Sequence, residues 1–402
     1  MDFSGKTVVL GVTGGIAAYK ACDLVSRLHK KHINIRIIMT EHACEFVQPL
    51  TFEVLSGNRV VTDMFNRDFP WEVEHISLAK AADVFAVVPA TANILGKYAH
   101  GIADDMLSTT LLATRAPVLF APAMNTAMYE NPAVQQNIME LKQRGCLVVE
   151  PASGMLACGD TGKGKLADVD TIEQAILDAL TQKDMTGMRI TVTAGPTREA
   201  MDPVRFLSNH STGKMGYAIA RSAKMRGADV TLISGPVALP PVDGVTMVPV
   251  TSALDMREAV MQALPESDVV IKAAAVGDYR PAERKTDKIK KHDDDMSVAL
   301  VRNPDILAEI GQKRREDQVI CGFSMETRDL LENSAKKLQN KNCDVIVANN
   351  LKVKGAGFAG DTNVVTLLYR YGSTEPLELM GKDSVADILL DRLLALYRKK
   401  HT

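Results

Sequence analysis

The stretch Thr7–Lys20, TVVLGVTGGIAAYK, decides how the start of this chain folds. Its first residues are apolar or β-branched and predict a buried strand, whereas the residues from Ile16 onward predict a helix. Gly14 and Gly15 lie between the two. Glycines at such a junction let backbone N–H groups approach an anion at the positive end of the helix. We interpret the stretch as a mononucleotide phosphate site, and the alternative is a tight strand-to-helix turn without a ligand.

A second strand, glycine loop and helix begin at Met188. MRITVTAGPTRE, residues 188–199, predicts a strand that enters a Gly-Pro loop, and Gly213–Arg226 predicts a helix that opens on glycine. The GK pair there is not a P-loop, because Ser208 stands where that motif requires glycine. The first glycine loop, with the spacing G-x-x-G-G, also differs from the G-x-G-x-x-G of dinucleotide sites. The chain is therefore predicted to be α/β, with two Rossmann-like domains that differ in detail.

The length of the chain also indicates two domains. A chain of 402 residues exceeds one typical core and fits two domains of roughly 200 residues each. The polar break Thr181–Thr186 separates the last helix of the first half from the first strand of the second half. We predict that one domain covers residues 1–184 and the other covers residues 185–402.

Composition and charge exclude several classes of protein. Apolar residues make up 46% of the chain and charged residues 24%, and the formal charge of −2 gives no reason to expect a nucleic-acid partner. No apolar run reaches the ~18–20 residues that span a bilayer. The N-terminus enters a strand directly, so we expect neither a membrane segment nor a signal peptide. The six cysteines contain no C-x-x-C pair, which favours reduced thiols in a cytoplasmic protein.

Polar residues follow two predicted strands of the first half. Thr91, Ala92 and Asn93 come after the strand Asp83–Pro89. Asn125 comes after the next strand. Ligands of open α/β sheets bind beyond the carboxyl ends of the strands, where these groups could meet a flavin ring edge or a phosphate. For residues 91–93 the alternative is an Asx or Ser/Thr turn that only caps the next helix.

Two further residues of the first half carry reactive side chains. Residues 151–168 are rich in glycine and have no apolar period, which predicts a long flexible loop with Cys158 in its middle. A thiol on such a loop can visit a neighbouring site, whereas structural cysteines are usually buried in regular elements. His75 precedes a short predicted helix, where a catalytic role competes with a role as a cap or a surface residue.

Charged residues gather at strand ends and on adjacent helices of the second half. Asp278 follows one predicted strand, Phe323 ends another, and Lys337 and Lys341 lie at the end of a helix. The loop 288–291, KIKK, adds further lysines, although a charge run of this kind is usually only solvated. Lysines neutralise phosphates and a carboxylate can hold a metal ion, so we predict a site for a nucleoside triphosphate with Mg²⁺.

Ten motifs together resemble those of one family, the bacterial bifunctional enzymes that fuse phosphopantothenoylcysteine decarboxylase to phosphopantothenate–cysteine ligase in coenzyme A biosynthesis. The likeness covers nearly all 402 residues and keeps the order and spacing of the motifs. The motifs are GGIAAYK (14–20), His75, PATAN (89–93), PAMNTAMY (122–129), ACGD (157–160), TAGPTRE (193–199), DPVRFLSNHSTGKMG (202–216), AAAVGDYR (273–280), KIKK (288–291) and NPDI (303–306).

The resemblance implies that the first domain is a flavodoxin-like flavoprotein of the HFCD type, which binds FMN at contacts between subunits. His75 then matches the active-site histidine, Asn125 the asparagine that holds the substrate carboxylate, and Cys158 the proton donor on the flap. Flavin oxidises the cysteinyl thiol to a thioaldehyde, CO₂ leaves, and the enethiolate is protonated at carbon by Cys158 and reduced. The positions that match the FMN site are Gly14, Gly15, Ile16, Thr40, Thr91, Ala92, Asn93 and Ala123.

The resemblance also implies that the second domain is a ligase that uses CTP. The carboxylate of 4′-phosphopantothenate attacks CTP to form an acyl-cytidylate and pyrophosphate, and the amine of L-cysteine then displaces CMP. Asn209 matches a residue needed for the intermediate and Lys288 one needed for its formation, and we expect Asp278 to hold Mg²⁺. The positions that match the CTP site are Lys272, Ala273, Ala274, Asp278, Lys288, Asn303, Pro304, Asp305, Ile306, Phe323, Lys337 and Lys341.

The chain departs from its relatives at three positions. Lys272 replaces a small residue, so we expect its backbone and not its side chain to contact the nucleotide. Gly277 stands where relatives have alanine. Tyr129 stands where many decarboxylases have tryptophan, which would alter packing on the substrate.

Two other interpretations are distinguished by sequence. A related flavin prenyltransferase beside an unrelated nucleotide module would lack the ACGD flap. A non-catalytic regulatory subunit would have lost the histidine or have a degraded ligase half, and neither is seen. The resemblance further implies a homo-oligomer, a dodecamer built from flavin-domain trimers with ligase-domain dimers.

Overall fold

The protein forms two compact units. The structure, a computed structural model, describes residues 3–65, 73–156, 159–290, 296–326, 329–350 and 360–402. One unit ends at Gln182 and the other begins at Lys183. Each unit is built on its own sheet with helices packed on it, so the predicted pair of Rossmann-like α/β domains is confirmed. Within these ranges no helix is long and apolar enough to cross a bilayer.

The N-terminal unit is built on a parallel sheet of six strands in the order β3-β2-β1-β4-β5-β6, which is the Rossmann order. Strands β1 and β4 are buried along their whole length, because helices cover both faces of the sheet. Its elements are β1 (Thr7–Val12), α1 (Ala18–His29), β2 (Asn34–Met39), α2 (Glu41–Cys44), α3 (Pro49–Ser56), β3 (Val60–Val61), α4 (Glu74–Ala81), β4 (Val84–Ala90), α5 (Ala92–His100), α6 (Met106–Ala113), β5 (Val118–Pro122), α7 (Thr126–Glu130), α8 (Pro132–Gln143), β6 (Leu147–Val148), β7 (Ala152–Met155), β8 (Thr161–Lys165) and α9 (Val169–Leu180).

Residues 151–168 differ from the long flexible loop that the sequence predicted. Strands β7 and β8 pair in an antiparallel hairpin, with Gly154 opposite Gly162. The glycines allow close packing: a Cβ on Gly164 would lie 2.4 Å from the carbonyl oxygen of Met124, and one on Gly162 would lie 2.6 Å from Cγ2 of Thr126. The prediction was wrong because glycine here marks a close approach of two backbones rather than a lack of structure.

The C-terminal unit has a mixed sheet of eight strands in the order β13-β12-β9-β14-β17-β18-β20-β21, in which β20 is antiparallel to both of its neighbours, β18 and β21. Its elements are β9 (Arg189–Ala194), β10 (Glu199–Ala200), β11 (Phe206–Leu207), α10 (Lys214–Met225), β12 (Asp229–Ser234), β13 (Thr246–Pro249), α11 (Ala253–Ala263), β14 (Val269–Lys272), β15 (Tyr279–Pro281), β16 (Leu300–Arg302), α12 (Ile306–Lys313), β17 (Val319–Glu326), α13 (Leu330–Asn340), β18 (Val345–Asn350), β19 (Thr362–Asn363), β20 (Val365–Tyr369), β21 (Thr374–Pro376), β22 (Met380–Gly381) and α14 (Lys382–Lys400).

The two faces of this sheet pack on different helices. Ile271 belongs to the core formed with α10 and α14, whereas its neighbour Val270 belongs to the core formed with α12 and α13. The alternation follows from the period of two along a strand. The long helix α14 buries Val385, Leu389 and Leu393, spaced by four residues, on the first of these faces.

Replacing Gly164 with alanine should destabilise the N-terminal unit by about 2 kcal/mol or more, since Cβ would collide with a main-chain carbonyl that cannot move freely. The backbone of Gly164, with φ of 143°, also disfavours any other residue. Urea unfolding followed by the fluorescence of Trp71, the single tryptophan of the chain, would measure the change. Gly96→Ala is the matched control, since Gly96 lies inside α5 with its nearest neighbour 3.5 Å from the new Cβ. Equal stability of Gly164→Ala and Gly96→Ala would contradict the packing role of the hairpin.

Candidate active sites

A cavity of about 560 Å³ opens at the carboxyl ends of β1, β4 and β5. It lies where the strand order of the N-terminal sheet reverses, which is the usual ligand position in this architecture. From the predicted set, the cavity is lined by Gly14, Gly15, Ile16, Thr91, Ala92, Ala123 and Asn125. It is also lined by residues that sequence reasoning missed, among them Tyr19, Lys20, Met155, Leu156 and Lys165.

Two features hold the glycine loop against this cavity. The Thr13 hydroxyl donates to the carbonyl oxygen of Pro89 at 2.7 Å and accepts from the N–H of Thr91 at 3.1 Å, which joins the loops after β1 and β4. A Cβ on Gly14 would lie 2.4 Å from Cβ of His42 and 2.9 Å from its carbonyl carbon. The loop can therefore lie this close to α2 only with glycine at that position, and the segment from Gly15 onward forms the cavity wall.

The remainder of the wall is largely apolar. Ile16 and Tyr19 are each 60% exposed and Met155 is 73% exposed, although large apolar side chains are usually buried. Met128, on α7, also lines the cavity. An apolar cavity with a few hydrogen-bonding groups suits a flat aromatic ligand.

Asn125 connects the cavity to the hairpin of β7 and β8. Its Oδ1 accepts from the N–H of Ala127 at 2.8 Å and caps α7. Its Nδ2 donates to Oδ2 of Asp160 at 2.7 Å. Asn125 thus both caps a helix and lines the cavity.

Glu150 fixes the base of the same hairpin. Its carboxylate accepts from Lys142 at 2.6 Å, from Lys163 of β8 at 2.7 Å, and from the hydroxyl of Tyr129 at 3.1 Å. The hydrogen bonds from Lys142 and Lys163 outweigh partial burial and lower the pKa of Glu150 to about 2. The hairpin therefore remains tied to α7 and α8 at any pH above the acid range.

Three predicted residues of the first half lie away from the cavity, and a fourth is not described. Thr40 caps α2 by accepting from the N–H of Ala43 at 3.3 Å. Asn93 is exposed in the first turn of α5, and His75 is half-buried near the start of α4. Cys158 lies outside the described residues.

A second cavity, of about 240 Å³, opens at the carboxyl ends of β9, β14, β17 and β18. The strand order of the C-terminal sheet reverses between β9 and β14, as it does between β1 and β4 in the other unit. From the predicted set, this cavity is lined by Lys272, Ala273, Ala274, Phe323 and Lys337. It is also lined by the loop 211–216 and by Asn349, Asn363 and Lys382.

Four lysines line this second cavity. Lys214 pairs with Asp361 at 2.7 Å, Lys337 donates to the Ser324 hydroxyl at 3.3 Å, and Lys382 donates to a main-chain carbonyl at 2.6 Å. Burial, together with the charge of Lys214, lowers the pKa of Lys382. Burial lowers the pKa of the fourth, Lys272, to about 8, with a further contribution from the positive charge of Lys341. The cavity therefore concentrates positive charge, as an anion site requires.

One polar atom of the second cavity wall is unsatisfied. The side chain of Asn349 is 7% exposed, and in the described part of the protein its Oδ1 accepts no hydrogen bond. A buried acceptor without a partner is costly, so a ligand with a donor group would be stabilised there.

The other predicted ligase residues surround the cavity without lining it. Asn303 donates to the carbonyl of Gly277 at 2.8 Å, Lys341 pairs with Asp305 at 2.8 Å, and Asn209 donates to the carbonyl of Ala275 at 2.6 Å. The remaining predicted residues are Asp278, Lys288, Pro304 and Ile306. Asp278 and Lys288 are exposed, and Ile306 is buried in the core. Across the described ranges no three His, Cys, Asp or Glu side chains meet as a metal site.

Asp202 holds the segment that carries Lys288, and sequence reasoning missed it. Its buried carboxylate accepts from the N–H groups of Val204, Arg205 and Ile289 at 2.8, 2.7 and 3.1 Å, and from Nε of Arg205 at 3.0 Å. Burial raises the pKa of Asp202, but these donors outweigh it and lower the pKa to about 2. A carboxylate at the start of the DPVRFLSNHSTGKMG motif was the available signal.

Comparison with known proteins assigns both units. Residues 2–181 match the family model described as Flavoprotein, and residues 185–397 match the model described as DNA/pantothenate metabolism flavoprotein C-terminal domain. The coenzyme A biosynthesis bifunctional protein CoaBC of Bacillus subtilis is 49% identical over 98% of both chains. That of Escherichia coli K12 is 41% identical over the full length of both.

A solved structure also matches the second unit. It is the C-terminal domain of a coenzyme A biosynthesis bifunctional protein CoaBC, at 42% identity over 54% of this chain and 100% of that one, with a TM-score of 0.47. The two family models together cover nearly the whole chain, and the relatives match it from end to end. The chain therefore belongs to the family of bifunctional coenzyme A biosynthesis proteins, with a flavoprotein half and a ligase half.

Proposed function

We propose that the two units of this bifunctional enzyme of coenzyme A biosynthesis divide its reactions between the two cavities. The C-terminal unit joins L-cysteine to 4′-phosphopantothenate with CTP, and the N-terminal unit decarboxylates the product with FMN to give 4′-phosphopantetheine. The observation that carries the proposal is the contrast between the cavities: one is largely apolar, with two lysines, beside a glycine loop, and the other is lined by four lysines.

The residues of the N-terminal cavity fit FMN. The close approach at Gly14 leaves backbone groups for a phosphate, and Ile16, Tyr19 and Met155 offer apolar surface to a flat ring. When bound, FMN would supply the oxidation of the substrate thiol that makes loss of CO₂ possible. In this scheme Nδ2 of Asn125 holds the substrate carboxylate, and the thiol of Cys158 gives its proton to the carbon that CO₂ has left.

His75 needs a second copy of the chain in this proposal. Within one chain it does not line the cavity, whereas the resemblance implies an FMN site at contacts between subunits. A homo-oligomer with flavin-domain trimers would bring His75 of one copy to the cavity of another. A cytoplasmic location follows from the same biosynthetic role.

The residues of the C-terminal cavity fit CTP. Lysines around a strand-end crevice neutralise a triphosphate, and the unsatisfied Oδ1 of Asn349 would accept from an amino or hydroxyl group of the nucleoside. A carboxylate oxygen of 4′-phosphopantothenate attacks the α-phosphorus, and pyrophosphate leaves. The amine of cysteine then attacks the acyl carbon, and CMP leaves. Lys288 stabilises the charge that develops in the first step, and Asp278 would help to hold Mg²⁺, which would neutralise phosphate charge when bound.

The proposed function of the N-terminal half is tested by the visible absorbance of the protein and by its rate of decarboxylation. The purified protein should show the visible absorbance of bound FMN, and it should release CO₂ from phosphopantothenoylcysteine. Cys158→Ser should keep the flavin spectrum but lower turnover at least a hundredfold, since general acid catalysis typically contributes a factor of about 10² to 10⁴. Cys146→Ala, in the same unit, is the control and should turn over normally. A colourless protein that cannot be reconstituted with FMN would overturn the proposal for this half.

The C-terminal half is tested by pyrophosphate release. With 4′-phosphopantothenate and CTP, the wild type should release pyrophosphate, and ATP should not replace CTP. Lys288→Gln should lower this release at least a hundredfold, because a charged donor to a transition state contributes about 3 kcal/mol or more. Decarboxylation of supplied phosphopantothenoylcysteine should be unchanged.

The matched control for Lys288→Gln is Lys285→Gln. Lys285 lies in the same exposed segment and pairs with Glu283 at 2.8 Å. If Lys285→Gln lost activity to the same extent, the charge of the whole segment and not Lys288 itself would matter.

Asp202→Asn should lower ligase kcat/KM about tenfold or more and spare the decarboxylase, since an amide cannot accept from all four donors of that carboxylate. Asp202 acts through the position of Lys288, so the double variant Asp202→Asn/Lys288→Gln should be no slower than Lys288→Gln alone. Asp243→Asn, an exposed position in the same unit, is the control. Additive losses in the double variant would show that Asp202 acts independently of Lys288.

A further inference from the structure

Within the described ranges, Lys272 differs from the other lysines of the ligase cavity in having no partner. It is the last residue of β14 and lines the cavity. Among the described residues, no hydrogen bond or ion pair reaches its ammonium group. Lys214 and Lys382 are paired, and Lys341, just outside the cavity, is paired with Asp305. The sequence predicted only a backbone contact for Lys272, but an unpartnered side chain at the cavity needs another explanation.

The side chain of Lys272 lies on the face of the sheet that carries α12 and α13. Val270, two residues earlier, packs on those helices, and side chains two apart share a face. The charged groups around its ammonium come from every neighbouring element: Lys337 on α13, Lys341 after it, Asp305 at the start of α12, and Asp278 beyond β14. Lys214 and Lys382 stand on other parts of the same cavity wall.

The local charges compensate this ammonium only in part, through the attraction of Asp305 and Asp278. Asp305 is already engaged by Lys341, and Asp278 is exposed to solvent. Lys337 and Lys341 repel the ammonium, and burial removes the water that would stabilise it. The arrangement is unfavourable for the protein alone and becomes favourable when an anion with several charges enters the cavity.

We propose that the ammonium of Lys272 is a phosphate-binding group of the ligase site, and that binding of a nucleoside triphosphate places a proton on it. This inference rests on the proposed function, because the anion is taken to be the triphosphate of CTP. The ammonium donates charge-assisted hydrogen bonds to phosphate oxygens. These hydrogen bonds raise the pKa of Lys272, which burial had lowered. The other cavity lysines keep their existing partners.

The pH dependence of CTP binding follows from the direction in which the bound nucleotide shifts the pKa of Lys272. Without nucleotide the pKa of Lys272 is about 8, and with bound phosphate it is higher. Below about pH 7 the group is protonated in both states, so affinity does not depend on its titration. As pH rises through 8, the free enzyme loses the proton and the complex keeps it. Binding then takes up a proton, and affinity falls by up to about tenfold for each further pH unit.

Calorimetric titration of the full chain with CTP and Mg²⁺ tests the inference. Titrations at pH 6.5 and 9.0, each in two buffers of different ionisation enthalpy, give the affinity and the number of protons exchanged. The wild type should take up roughly one proton per site at pH 9.0 and almost none at pH 6.5. Lys272→Met should bind CTP roughly ten- to a hundredfold more weakly at pH 6.5 and take up no proton at pH 9.0.

Lys272→Arg keeps the test decisive if the methionine variant folds poorly. Its guanidinium stays charged at both pH values, so CTP should bind at pH 9.0 as tightly as at pH 6.5, without proton uptake. Lys336→Met, on the exposed side of α13 where Lys336 pairs with Glu332, is the control and should behave as the wild type. Thermal unfolding of each variant reports whether the fold is retained.

The outcomes separate this inference from the proposed function. If the wild type binds CTP but Lys272→Met binds it equally tightly with the same proton uptake, Lys272 is not a phosphate-binding group and the proposed function stands. If proton uptake persists in Lys272→Arg, another group titrates and the inference is wrong. If the wild type does not bind CTP at either pH, the proposed function of the C-terminal unit fails, and this inference fails with it.

Discussion

Both cavities depend on one constraint of parallel sheets, the reversal of strand order. Where neighbouring strands send their chains to opposite faces of the sheet, the loops diverge and leave a crevice. The reversal lies between β1 and β4 in one unit and between β9 and β14 in the other. The N-terminal loop then packs so closely on a neighbouring backbone that no side chain fits at Gly14. The chain can therefore present main-chain groups and strand-end side chains to a ligand at each reversal.

The same architecture serves different chemistry because the two walls differ in charge. In the N-terminal cavity the wall consists largely of exposed apolar side chains, with Asn125, Lys20 and Lys165 as polar members. In the C-terminal cavity four lysines enter from separate elements, and the positive charge is more concentrated. A largely apolar wall favours a flat ring, and a higher density of positive charge favours phosphates. The contrast depends on side chains that the fold itself does not require.

Sequence patterns predicted most of what lies at strand ends. The apolar runs before Thr91, Asn125 and Lys272 marked buried strands, and the crevice follows directly from their ends. The hairpin of β7 and β8 could not be predicted in this way, because its glycines serve contacts with the loop at residues 124–126 that no local pattern reveals.

Contacts between distant parts of the chain were also beyond the reach of sequence patterns. Asp202 meets the backbone of Ile289 at a separation of 87 positions, and Lys382 reaches the second cavity from the start of the last helix. The local sequence of a short strand or helix does not indicate which distant residue it contacts. His75 shows the opposite situation, since its motif is recognisable in the sequence although it does not line the cavity within one chain.

The charges around Lys272 explain how the unliganded site is already arranged to bind an anion. A buried ammonium without a partner lowers the stability of the unliganded state, whereas a paired ammonium would have to break its pair in order to bind. Lys341 illustrates the second case, because Asp305 would compete with a phosphate for it. Asp305 pairs with Lys341 and attracts Lys272 without forming an ion pair with it. The Lys341–Asp305 pair thus leaves the neighbouring lysine available for a ligand, and the two cations take different roles because, among the described residues, Asp305 pairs with only one of them.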